Sequence, residues 1–155
     1  AACHSDMPGM SRDRGLELGK YLADSRVQQQ RIGQPPLVKD SDALEQMMQA
    51  GNFVEMWRVK LNKGNASAST ATLLSGLTWS DNSNLAAKAS FVNGQWNVEL
   101  SRALNGSTGQ KTFENGQSYT FGMALHSANR SGAQHWVSLP MTLGLDRDDT
   151  DFRVD

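Results

Sequence analysis

The chain's single cysteine, Cys3, follows two alanines and is itself followed by His4. One further cysteine just ahead of Ala1 would complete C-A-A-C-H, an attachment signature for c-type haem. In that motif two thioethers hold the porphyrin, and the histidine takes one axial position on iron. A free thiol beside a surface histidine is the plainer alternative. The two remaining histidines, His126 and His135, lie nine residues apart near the other end, across a predicted hairpin.

That hairpin carries a constraint. Directly opposed residues of an antiparallel pair have Cβ atoms about 5 Å apart. Two histidines so placed on one sheet cannot grip opposite faces of one porphyrin. At most one is an axial ligand; the other bonds a propionate or orients the first. The same closeness suits two ligands of a zinc or copper site, but no third ligand stands at a diagnostic spacing. Alternation along the first strand puts Tyr119, Phe121, Met123 and Leu125 on one face. Thr120, Gly122, Ala124 and His126 share the other. Small residues beside a histidine leave a flat recess that a planar macrocycle can use, and glycine inside a strand often marks a close approach. The alternative is that Gly122 and Ala124 merely admit side chains from a facing sheet.

Met56 is a second anomaly, because Val54, Met56, Arg58 and Lys60 share a strand face that is not wholly apolar. Its thioether can serve as an iron ligand, with Arg58 pairing a haem propionate. Gap-filling is the competing role, since the chain has seven methionines.

The elements that must position these groups fall into two textures. Residues 11–31 are patterned as a helix, ended by Gly33-Gln34-Pro35-Pro36. A short helix is predicted over residues 42–50, capped by Ser41 or Asp42, with Glu45 at capping-box spacing and Gly51 as its stop. From Phe53 onward the pattern is β. The segment 53–61 turns Phe53, Trp57, Val59 and Leu61 to one side, and further strands are predicted over 70–77 and 85–92. Asn93-Gly94 is a strong hairpin signal. It leads into residues 96–101, with Trp96, Val98 and Leu100 inward. Strands over 119–126 and 134–145 follow, the last broken at Pro140, which favours an edge or a bulge. The expectation is a mainly β chain: an antiparallel β-sandwich with a helical N-terminal segment. Residues 1–51 form the helical lead-in and 52–155 the sandwich.

Composition narrows the function. The 155 residues suit one ordinary domain, and fifteen basic residues balance sixteen acidic ones. That balance argues against a nucleic-acid partner, which needs a concentrated basic patch. No segment approaches the roughly 20 apolar residues of a membrane span. No hydrolase, P-loop or dinucleotide motif is present.

Three segments resemble the ethylbenzene dehydrogenase γ-subunit type of haem-binding domain. Gly51-Asn52-Phe53-Val54-Glu55-Met56-Trp57-Arg58 is similar to its x-D-M-W-x-W/R strand. Asn93-Gly94-Gln95-Trp96-Asn97-Val98-Glu99-Leu100-Ser101-Arg102-Ala103-Leu104 resembles G-x-W-x-V-x-x-x-R-x-L. Residues 116–144, with Phe121-Gly122-Met123-Ala124-Leu125-His126 and His135-Trp136-Val137-Ser138-Leu139-Pro140, resemble F-A-I-H…H-H-V-S-F-P…L-G. The resemblance spans about residues 50–146.

It implies a β-sandwich holding non-covalent b-type haem, and in a subset c-type haem segments in the same polypeptide. Carried onto this chain, Met56 is the thioether ligand and His126 the leading nitrogen ligand. His135 stands in reserve and Lys60 is a distant possibility. The best-known γ subunits use methionine and lysine, so this chain departs from them. Cys3 and His4 would hold haem c, which implies a periplasmic or otherwise extracytoplasmic site. The expected role is an electron carrier, not an enzyme, exchanging electrons with other haem domains or redox proteins. The main rival is a carbohydrate-binding module using Trp79 and Trp136 as a stacking platform, given that Trp57 and Trp96 are expected to face a core. The other is a cofactor-free interaction domain.

Overall fold

The computed structural model describes residues 21–27, 37–62, 64–80, 84–126 and 135–154. Among them the chain is mainly β, with antiparallel sheets and one α-helix. The expected helix over 11–31 lies largely outside the described residues. Where it is described it is not α-helical: residues 23–25 form a single 3-10 turn, and Arg26 bridges to Val38. The reason is local competition. The Ser25 hydroxyl donates to the Leu22 carbonyl at 2.7 Å, offering the backbone an alternative to helix. Leu22 N–H then bonds the Leu74 carbonyl at 2.7 Å, tying this segment to the sheet.

Helix α1 (Ser41–Gln49) starts one residue earlier than expected because Asp40 is the cap, its carboxylate accepting from Ala43 N–H at 2.9 Å. Glu45 is therefore outside a capping box and instead accepts from Gln49 one turn on. Gly51, at φ +74, ends the helix.

Strand β1 (Val54–Asn62) turns back into β2 (Asn65–Leu73), which pairs on its other side with β3 (Leu77–Ser80). Strand β2 begins earlier than the predicted 70–77, since its run of Ala, Ser and Thr carries no apolar period to mark its start. Strands β4 (Ala86–Val92) and β5 (Gln95–Ser101) form the expected Asn93-Gly94 hairpin, both turn residues at positive φ. Strand β4 comes up against β2.

Each of the last two expected strands is split. Residues 119–126 become β6 (Ser118–Phe121) and β7 (Ala124–His126), and 134–145 become β8 (His135–Val137) and β9 (Met141–Leu145). Phe121 opposes Met141 and Ala124 opposes Val137. Two residues, 122–123, therefore face three, 138–140. The extra residue on the returning strand is the bulge that Pro140 signalled. Ser138 stitches the gap: its N–H donates to the Met123 carbonyl and its hydroxyl accepts from Met123 N–H, both at 2.9 Å. Strand β10 (Phe152–Val154) runs parallel to β9, so the sheets are not all antiparallel as expected.

The sheets stay separate and none closes on another. The described core is small: Phe53, Ala71, Leu73, Leu74, Leu85 and Leu145. Trp57, Trp96, Val98 and Leu100, expected inward, all lie exposed. Cross-strand register does gather Phe91, Trp96, Val98 and Leu100 on one face of β4–β5, and all four remain exposed there.

Candidate functional site

Met56 lies mid-strand in β1, opposite Ala71, which in turn opposes Trp79 on β3. Met56 is half-buried in that row of small and aromatic neighbours. Arg58, on the same face, is engaged within its own sheet. Its guanidinium sits 3.6 Å over the Trp79 ring, and its Nε donates to Ser69 Oγ at 3.1 Å. Lys60 is exposed opposite Ser67.

At the other end, His126 opposes His135 directly in the β7–β8 ladder, as the hairpin spacing predicts. Ala124 opposes Val137 on the same side. Gly122 sits in the gap between β6 and β7. A Cβ there would lie 3.6 Å from Ser138 Oγ, an ordinary contact, so the backbone position itself does not demand glycine. The structure thus brings Ala124, His126 and His135 into one short hairpin. Met56 and Arg58 belong to a different sheet, and no extended contact joins β1 to β7 among the described residues. Cys3 and His4 lie outside the described residues.

The most elaborate polar constellation involves none of these residues and joins β1 to residues 102–111. Glu55 and Arg102 form an ion pair at 3.3 Å, their side chains only 5% and 1% exposed. The Glu55 carboxylate also accepts from Lys111 N–H and from the Trp57 indole, each at 2.6 Å. Arg102 donates to the Lys111 carbonyl and lies over the Trp57 and Phe113 rings. The Lys111 ammonium bonds the Gly51 carbonyl and sits 4.2 Å over Phe53. Burial pushes the Lys111 pKa down, partly opposed by the Glu55 charge. A sequence signal for this cluster existed. Glu55 stands between Phe53 and Trp57 on an apolar strand face, where a carboxylate needs a partner.

Two cavities flank these elements. One of about 70 Å³ is lined by hydroxyls, Thr70, Thr72, Thr78 and Ser80 facing residues 107–110. The other is a shallow depression of about 290 Å³ on β4–β5. Among the described residues no group of three or more His, Cys, Asp or Glu side chains could hold a metal ion. No described helix is long and apolar enough to cross a membrane.

Comparison with known proteins gives one partial likeness. Over 51 residues the chain is 39% identical to cytochrome c-552 of Stutzerimonas stutzeri. The match takes in 33% of this chain and 18% of that protein, so only a small part of the relative is represented. No protein-family profile matches the chain, and no solved structure matches it.

The donor chemistry suits haem iron, for which thioether and imidazole are both established axial ligands. The fit is one of donor types: thioether and imidazole stand on separate sheets.

Proposed function

We propose that this chain is an electron-transfer cytochrome domain that binds haem b between Met56 and His126, next to a haem c held at Cys3 and His4. The observation that carries this reading is the likeness to a protein named cytochrome c-552. The paired histidines at positions 126 and 135 support it, as does the unusual amount of apolar surface left open on β4–β5 and β7–β8. An enclosed macrocycle would cover such surface. In this reading the chain is a haem-binding β-sandwich of the ethylbenzene dehydrogenase γ-subunit type, working outside the cytoplasm with other haem domains or redox proteins.

Haem supplies one-electron chemistry. Met56 and His126 would hold it, and a thioether donor would raise its reduction potential. The chain's own contribution is the ligand pair, the small side chains of Gly122 and Ala124 beside His126, and a low-polarity surround. His135, opposite His126 in register, orients it or replaces it as ligand. For Arg58 to meet a propionate, it must leave the Trp79 ring.

The test is a pyridine haemochrome assay on the whole chain before and after acid-acetone extraction. Extractable haem b and residual covalent haem c are both expected, with a six-coordinate low-spin spectrum that Met56→Ala abolishes or shifts. A colourless protein that takes up no added haem ends this reading. An unchanged spectrum in Met56→Ala removes Met56 from it. Of the two tryptophans expected to form a glycan platform, Trp79 has a face occupied by Arg58, while Trp136 is exposed.

A further inference from the structure

Strand β5 has an unusual position. It pairs with β4 along all seven residues without a bulge, and each of the seven is exposed. Among the described residues no backbone hydrogen bond reaches its outer edge. A two-stranded hairpin alone is marginal in water. Natural edge strands are usually blunted by lysine, proline, a bulge or a cover. Gln95-Trp96-Asn97-Val98-Glu99-Leu100-Ser101 has none of these and one charge.

We propose that β5 pairs antiparallel with β5 of a second copy of this chain, about a two-fold axis at Val98, giving a four-stranded sheet. The strand is self-complementary in that register. Trp96 meets Leu100 of the second copy and Val98 meets its own copy, all on the apolar face. Asn97 meets Glu99 of the second copy, and Gln95 meets Ser101, on the polar face. Every residue is paired and no like charges oppose. Centring on Glu99 sets the two carboxylates against each other. Centring on Asn97 runs Leu100 and Ser101 into the turn, and a one-residue slip puts apolar against polar faces.

Magnitude favours edge pairing over face-to-face docking of the same hairpin. Phe91, Trp96, Val98 and Leu100 are 58, 41, 44 and 38% exposed. With aromatic side chains of roughly 150–250 Å² each, the four offer on the order of 300–400 Å² per copy. A standard interface takes about 800 Å² per partner. The face alone is too small, whereas edge pairing adds a main-chain ladder to part of that burial. The dimer is accordingly of the weak, concentration-dependent class.

Sedimentation velocity from micromolar to near-millimolar protein, with amide exchange on β5, tests this. A monomer–dimer equilibrium with slowed exchange at β5 is expected. Asn97→Glu opposes two pairs of carboxylates and raises the dimer Kd roughly 2- to 30-fold. Asn97→Lys creates two opposite-charge pairs and lowers it by a similar factor. Both substitutions fall on an exposed polar face, so the monomer fold is kept. A chain that stays monomeric throughout, or a dimer indifferent to both substitutions, overturns the proposal.

Discussion

Strand β1 and strand β5 are both amphipathic β sequences whose tryptophans are each 41% exposed, yet their neighbours differ. Strand β1 is locked to residues 102–113 by a buried charge cluster, with Glu55, Arg102 and Lys111 sharing hydrogen bonds under the Trp57 and Phe113 rings. Among the described residues strand β5 pairs only with β4 and is exposed along its length. Alternation alone therefore tells which side chains share a face, not whether that face is covered. Coverage comes from a segment distant in sequence, and among the described residues β1 has one while β5 does not.

The contrast also reinterprets the family-like motifs. Glu55 and Trp57 lie in one motif and Arg102 in another, and they meet in the buried cluster. Those matching residues are accounted for by architecture. Of the two side chains suited to ligand chemistry, Met56 lies in β1 and His126 in the exposed β7–β8 hairpin.

The largest expected effect breaks the comparison directly. Glu55→Ala leaves the Arg102 charge buried without its carboxylate and costs about 3–5 kcal/mol of stability. Trp96→Ala costs less, about 1–2 kcal/mol, because the residue is already 41% exposed. Denaturant unfolding of both variants at low protein concentration measures this, and equal losses would erase the distinction between the regions.

Glycines sharpen it at smaller magnitude. Gly109, at φ +79, has no room for a Cβ, which would run into Thr72 Oγ1. That hydroxyl donates to the Gly109 carbonyl at 2.9 Å and fastens the 107–110 loop to β2. Gly94 has nearly the same φ, +80, but open space around it. Gly94→Ala should cost about 1–2 kcal/mol, from backbone handedness alone. Gly109→Ala should cost more by the loss of the loop's attachment, and equal unfolding midpoints for the two would deny that attachment a role.

What was legible in the sequence was local. The Asn93-Gly94 turn, the Gly51 stop, the Pro140 bulge and the His126–His135 adjacency each depend on a few neighbouring residues, and each is present. The N-terminal helix was misjudged where it can be checked, because Arg26 stacks on Tyr21 at 3.9 Å and bridges to Val38, interactions without a periodic signal. The start of β2 was missed because Asn65 to Ser69 have no apolar rhythm. The relation of Met56 to the histidines was never readable. It depends on how separate sheets stack, which neither alternation nor motif spacing encodes.

The smallest effect concerns pH and separates the two regions by the pH range in which each responds. Hydrogen bonds from the Thr142 N–H and hydroxyl hold the Asp151 carboxyl below the usual carboxylate range. Its folded pKa is lowered, so the stability it brings is fully present above the unfolded value, near 3.9, and lost as pH falls through the folded value. Lys111 also has a lowered pKa, and the sign is the same at the other end of the pH range. Between its folded value and the ordinary one the unfolded chain binds more protons, so stability rises with pH in the alkaline range. Acid should therefore loosen the β9–β10 pairing, while mild alkali should tighten the Glu55–Arg102–Lys111 cluster. Amide exchange of Gly144 and Phe53 across both pH limits checks the two responses. Asp151→Asn should flatten the acid limb at Gly144 and leave the alkaline limb at Phe53 untouched. A variant that altered both limbs would mean the two regions unfold as one unit.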